Sequence, residues 1–138
     1  MAIELVPLCK FSVTLAPLQL PDTPAGHRVI FQVLDGRLEG ERLNAKTVSA
    51  GADWVLIGSE GTAMLDFRLT AETYDGALIY VQSNGRTDAR QGPGTAPIYV
   101  APRFETGDER YAWLNRVQAV GKGALEGNTA THDWYEIR

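Results

Sequence analysis

Asp66 and Arg68 stand two residues apart in a stretch of strict alternation, and Glu72 follows on the same side. A carboxylate next to a guanidinium can lock that guanidinium for an anionic ligand, or be tuned by it as a general base. Asp53, directly before Trp54, is a third carboxyl; it either acts on a substrate or caps a turn through its own backbone. Trp54, Tyr80, Tyr99, Tyr111 and Trp113 join an apolar body to a polar tip, which suits a pocket wall as well as a core. Asn115 follows Trp113 and Leu114, and its amide, if buried, must find partners or bind something. These residues make a candidate acid–base set, with Asp66, Arg68 and Asp53 catalytic. Trp54, Glu72, Tyr80, Tyr99, Tyr111, Trp113 and Asn115 then hold a small molecule.

Other chemistries find less support. His27 and His132 stand in opposite halves of the chain with no second ligand beside either, which speaks against a metal site. There is no G-x-S-x-G elbow, and Thr47 to Gly51 lacks the leading glycine of a phosphate loop. No cofactor is expected. Cys9 is the one cysteine, and its alternation with Phe11, Val13 and Leu15 marks a buried structural thiol suited to a reducing cytoplasm. A net charge of −4 and a pI near 5.1 argue against a nucleic-acid surface, which would need clustered Lys and Arg. The first ten residues lack the basic start and long apolar run of a signal peptide. No apolar stretch reaches the ~18 residues of a membrane span, so a soluble, unprocessed protein is expected.

The elements that must position these residues are short strands. The 138 residues, 44% of them hydrophobic, suffice for one domain with one core. Leu5 to Ala16 alternates as a first strand, and Pro17, Pro21 and Pro24 predict an extended loop from Pro17 to Gly26. His27 to Asp35 reads as a second strand, ended by Gly36 and Gly40. Leu43 to Ser49 is a weak third, and Ala50 to Asp53 a turn before a short strand from Trp54 to Gly58. Thr62 to Tyr74 has a period of two, with Ala63, Leu65, Phe67, Leu69 and Ala71 on one face and Met64, Asp66, Arg68, Thr70 and Glu72 on the other. Asp75-Gly76 is a favoured hairpin link to a partner strand from Ala77 to Gln82. Ser83 to Ala96, rich in glycine and charge, predicts a mobile loop at a pocket mouth.

Tyr99 to Glu105 alternates again. Thr106 and Glu109 fit a capping box for a helical turn from about Gly107 to Trp113, followed by strands from Leu114 to Gly121 and Thr131 to Ile137. Eight or nine strands and one helical turn indicate a closed antiparallel barrel in which the last strand pairs with the first. If the polar face of the longest strand lines the lumen, the Leu65, Phe67 and Leu69 face must be covered by a partner subunit. A homo-oligomer, most simply a dimer, is therefore expected.

At Gly51-Ala52-Asp53-Trp54, Leu65 to Arg68, Glu72 to Tyr80, Phe104-Glu105-Thr106 and Tyr111 to Asn115, the sequence resembles the bacterial and fungal domain-of-unknown-function family 3237, also called uncharacterised protein family 0311. The resemblance runs from about Lys10 to the C-terminus. It implies a small β-barrel of lipocalin-like or allene-oxide-cyclase-like kind, and brings no catalytic set with it. The family often has an aromatic after the arginine of Asp66-Phe67-Arg68, where this chain has Leu69. Three functions compete: a cofactor-free acid–base enzyme of isomerase, lyase, hydratase or cyclase type, a ligand-binding barrel without catalysis, and an oligomeric structural or interaction domain.

Overall fold

The computed structural model describes residues Met1–Arg138. Eight antiparallel strands close into one barrel: β1 (Leu5–Thr23), β2 (Gly26–Glu39), β3 (Asn44–Ile57), β4 (Thr62–Thr73), β5 (Leu78–Asp88), β6 (Ile98–Glu105), β7 (Ala119–Glu126) and β8 (Thr129–Ile137). Each strand pairs with its neighbour in sequence, and β8 closes the ring against β1 from Leu5↔Ile137 to Thr14↔Thr129. The expected closed antiparallel barrel is thus realised, with no free edge along the paired length.

β4 decides which face is the interior. Ala63, Phe67, Leu69 and Ala71 are buried, whereas Met64 and Arg68 are exposed. The aliphatic face therefore fills the barrel, and Asp66, Arg68 and Glu72 point outward. Leu65, Phe67 and Leu69 need no partner subunit to cover them, which removes the original ground for a dimer.

Several elements run longer than alternation alone predicts. The expected loop from Pro17 to Gly26 is mostly strand, since β1 continues to Thr23 and Pro17 stands opposite Phe31. Beyond Thr14 β1 pairs with β2 alone, and proline is tolerated on such an edge. β2 continues through Gly36 to Glu39. The predicted turn at Ala50 to Asp53 is instead a bulge inside one continuous β3, where the register with β4 shifts between Val48 and Ala52 and Ser49 takes φ 62°. Such a bulge re-aims the side chains that follow it. Here Asp53 turns in and Trp54 turns out. Ser83 to Asp88, expected to be loop, completes β5, leaving Ala89 to Pro97 as the connection to β6.

One end of the barrel is solid. The expected hairpin at Asp75-Gly76 forms, but through the four residues Tyr74 to Ala77 rather than a two-residue link, with positive φ at Gly76 alone (92°) and its N–H donating to the Thr73 carbonyl. Beside it a 3₁₀ helix, Glu109–Arg116, buries Tyr111 and Leu114 in the same core cluster as Leu8, Leu43, Ile79 and Phe104. Its cap is Asp108, whose carboxylate accepts from the Arg110 N–H, rather than the Thr106–Glu109 box. Thr106 is drawn off to Leu78, whose carbonyl accepts its hydroxyl at 2.8 Å. The helix takes up Leu114 to Arg116, so β7 begins only at Ala119.

Candidate functional site

The other end is hollow. A cavity of about 380 Å³, within the size range of ligand pockets, is walled mainly by Phe11, Val13, Leu15, Val29, Phe31, Val55, Leu65, Phe67 and Val100. Gln19, His27, Asn128 and the β5–β6 connection at Ala89, Gly92 to Gly94 and Ala96 rim its mouth. The loop expected at a pocket mouth stands there in its second half. Within the apolar walls lie four polar side chains, those of Asp53, Ser83, His132 and Trp134.

Asp53 is 7% exposed and stands in register between Phe31 of β2 and Phe67 of β4. Its Oδ1 accepts one hydrogen bond, from the Asp66 N–H at 3.0 Å. Burial among hydrocarbon penalises the charged form more than this bond and nearby Asp66 change it, and raises the carboxyl from 3.8 to about 7. At neutral pH both protonation states are populated, which is the condition a general acid–base group needs.

His132 and Trp134 stand two residues apart on β8 and so share its inner face. Each lies opposite a glycine of β7, Gly123 and Gly121 respectively. A Cβ at Gly123 would collide with the imidazole and one at Gly121 with the indole, so the two glycines make room for the rings. Phe11, paired with His132 across β1 and β8, packs against both rings, stacked on Trp134 at 4.6 Å and edge-on to His132 at 5.9 Å. His132 Nδ1 and Trp134 Nε1 are wholly buried without a hydrogen-bond partner. Desolvation lowers the imidazole to about 4 despite the neighbouring Asp133, so His132 is neutral at physiological pH.

Of the ten residues singled out from the sequence, Asp53 lines this cavity. Asp66 and Arg68 form an ion pair at 3.3 Å on the outer surface, about half exposed, because Leu65, Phe67 and Leu69 hold the inner positions between them. Asp66 reaches the site only through its backbone N–H. Glu72 and Tyr80 alternate with buried Ala71, Ile79 and Val81 and face outward. Trp54 and Tyr99 are exposed, Tyr99 beneath the Lys122 ammonium. The other three serve the solid end. Tyr111 donates its hydroxyl to Asp75 at 2.9 Å, and Trp113 lies under the Arg42 guanidinium. Exposed Asn115 clamps Thr106 with one bond to its N–H and one to its carbonyl.

Ser83 and Trp134 were not among the candidate site residues, and His132 was weighed only as a metal ligand. Their signal was present in the shared parity of Ala130, His132 and Trp134, and in the glycines at 121 and 123. Closure also brings His27 and His132 to one cavity although they are far apart in sequence; no group of three or more His, Cys, Asp or Glu side chains there could hold a metal ion. Cys9 is buried on β1, and desolvation pushes its thiol up to about 12.

The chain is similar to a β-barrel-like protein from Acinetobacter baumannii AYE, known from a crystal structure, with a TM-score of 0.90 and 34% identity over 100% of this chain and 98% of that one. It is 30% identical over 124 residues to a UPF0311 protein of Rhodopseudomonas palustris, covering 81% of each chain. It is also 30% identical over 114 residues to the hydroalkoxylation enzyme phnH of Penicillium herquei, covering 83% of this chain and 70% of that protein. With the model of that family matching residues 3–137, the barrel belongs to the family described as protein of unknown function, DUF3237.

Proposed function

We propose that the chain is an acid–base enzyme that works without a cofactor on a small, largely apolar molecule, with Asp53 as the group that moves the proton. Asp53 itself carries this reading: a carboxyl held near 7 in an apolar cavity is costly to the fold and is what proton transfer at neutral pH requires. The name of the Penicillium relative supports a finer version, in which a hydroxyl adds across a carbon–carbon double bond. In that step the Asp53 carboxylate takes the hydroxyl proton, the oxygen bonds to one alkene carbon, and the proton passes to the other. No atom is lost, and ring closure within one substrate makes the reaction a cyclisation.

Native mass spectrometry of the purified protein, followed by incubation of any bound molecule with wild type and Asp53→Asn, tests the reading. Turnover that falls by about 10²-fold or more in the variant is expected. Retained binding with no turnover by wild type would favour the non-catalytic barrel instead. The same proposal places the protein in the cytoplasm, as the reduced Cys9 favours, and as a homo-oligomer, for which exposed Leu18, Trp54 and Met64 supply apolar outer surface. No helix is long and apolar enough to cross a membrane. Light scattering that returns only the 15.1 kDa mass at micromolar concentration would remove the oligomer.

A further inference from the structure

We infer that the cavity is a binding site for the ammonium group of a small hydrophobic amine, held by Oδ2 of Asp53 between Phe31 and Phe67. The inference stands apart from the acid–base reading, because it needs Asp53 to bind a cation and no proton to move. Asp53 is more than nine-tenths buried, and its Oδ1 is occupied by the Asp66 N–H. Oδ2 has no partner in the protein. Unlike the ring nitrogens of His132 and Trp134 it keeps accessible surface, so a molecule in the cavity reaches it. Buried polar groups in folded proteins have hydrogen-bond partners with few exceptions, and an ionised carboxylate only accepts, so the partner that Oδ2 lacks is a donor.

The charge of that donor follows from the walls. No Lys or Arg lines the cavity, and the Arg68 guanidinium is paired with Asp66 on the outside. At the rim Asp88 already holds Arg90 at 2.6 Å, and His27 is bonded to Gln19. His132, the other ionisable group on the inner walls, is neutral because burial holds it at about 4. Asp53 is thus a carboxyl with no counter-charge on any wall, and burial in that state holds it up near 7. A ligand cation supplies the missing charge where the low dielectric makes the attraction strong. A neutral hydroxyl also donates but leaves the charge uncancelled, and a ligand carboxylate adds a second negative charge to the same apolar space. Phe31 and Phe67 are the register partners of Asp53 on β2 and β4. Neighbouring strands stand about 4.8 Å apart, which puts an ammonium at Oδ2 within the ~6 Å over which an aromatic ring attracts a cation. The aliphatic walls beyond them take the hydrophobic body.

Calorimetry at pH 8, where Asp53 is ionised, tests this with 3-phenylpropylamine, 3-phenyl-1-propanol and 3-phenylpropionate, which share one body and differ in the charge of its end. Wild type should bind the amine about tenfold or more tightly than the alcohol, the scale of one hydrogen bond to a charged group, and the carboxylate more weakly than either. Asp53→Asn should bring the amine down to the alcohol while leaving the alcohol within about threefold of its wild-type affinity. Phe31→Leu keeps the carboxyl and should still cut the amine preference by about twofold to fivefold, which leaves a measurement if Asp53→Asn fails to fold. Equal binding of amine and alcohol by wild type, no binding of the amine, a carboxylate that binds as tightly as the amine, or an amine preference that survives either substitution undiminished would overturn the assignment. None of these affinities involves turnover, so a failure of the acid–base reading appears in turnover and a failure of this one in the ratio of affinities.

Discussion

Replacing Asp53 by Asn should stabilise the barrel, by an amount that grows with pH. Asn keeps the shape of the side chain and an oxygen to accept the Asp66 N–H, and has no proton to lose. In the folded wild type the carboxyl titrates at about 7, against 3.8 when free. Below 3.8 both folded and unfolded chains hold the proton, and the carboxyl adds no pH-dependent penalty. As pH rises towards 7 the unfolded chain ionises while the folded one stays protonated, so stability is lost; above 7 both ionise and the loss is complete. At 1.36 kcal/mol per pH unit of separation, the loss is about 2 kcal/mol at pH 5 and about 4 kcal/mol at pH 8. Solvent offers little relief, since Asp53 is 7% exposed. His132 is present in both proteins and cancels from their difference. Urea titrations of wild type and Asp53→Asn at the two pH values should therefore show the gap between them widening by about 2–3 kcal/mol. A gap that stays constant would mean that Asp53 titrates as an ordinary carboxyl, and the case for it as the proton-transfer group would fall with it.

His132→Phe should flatten the acid side of the stability profile. The imidazole is lowered from 6.5 to about 4, so its contribution is complete above 6.5 and is lost as pH falls towards 4. Wild type should lose about 2 kcal/mol more than the variant between pH 7 and pH 5, and equal losses would contradict the burial of the ring. Arg68→Ala, which would be severe in a lumen, should cost under ~1 kcal/mol in denaturant titrations, because its partner Asp66 is as exposed as the guanidinium. A loss of ~3 kcal/mol or more would place the charge inside after all. Gly123→Ala should destabilise by ~1–3 kcal/mol and abolish turnover together, since the new methyl meets both the His132 ring and the Thr131 carbonyl. Full activity in that variant would exclude His132 from the site.

The sequence by itself determined the strands and much of their order. Period-two alternation from Thr62 to Tyr74, the glycine of the Asp75-Gly76 link and a last strand ending at Ile137 are local signals, and each describes a feature that is present. The Thr106–Glu109 cap was equally local and still failed, because Asp108 competes for the same helix end and Leu78, far away in sequence, takes the Thr106 hydroxyl. Alternation states which residues share a face; it is silent on which face is inside. Only closure of the ring put Phe67 in and Arg68 out, and so moved the site away from the most conspicuous charges in the chain. Asp53 depended on a bulge at Ser49, whose backbone strain no residue pattern announces. The remaining polar groups came from β5 and β8, separated from Asp53 by 30 residues or more of chain. A cavity is made of the distances between such strands, and those distances exist only once β8 has paired with β1.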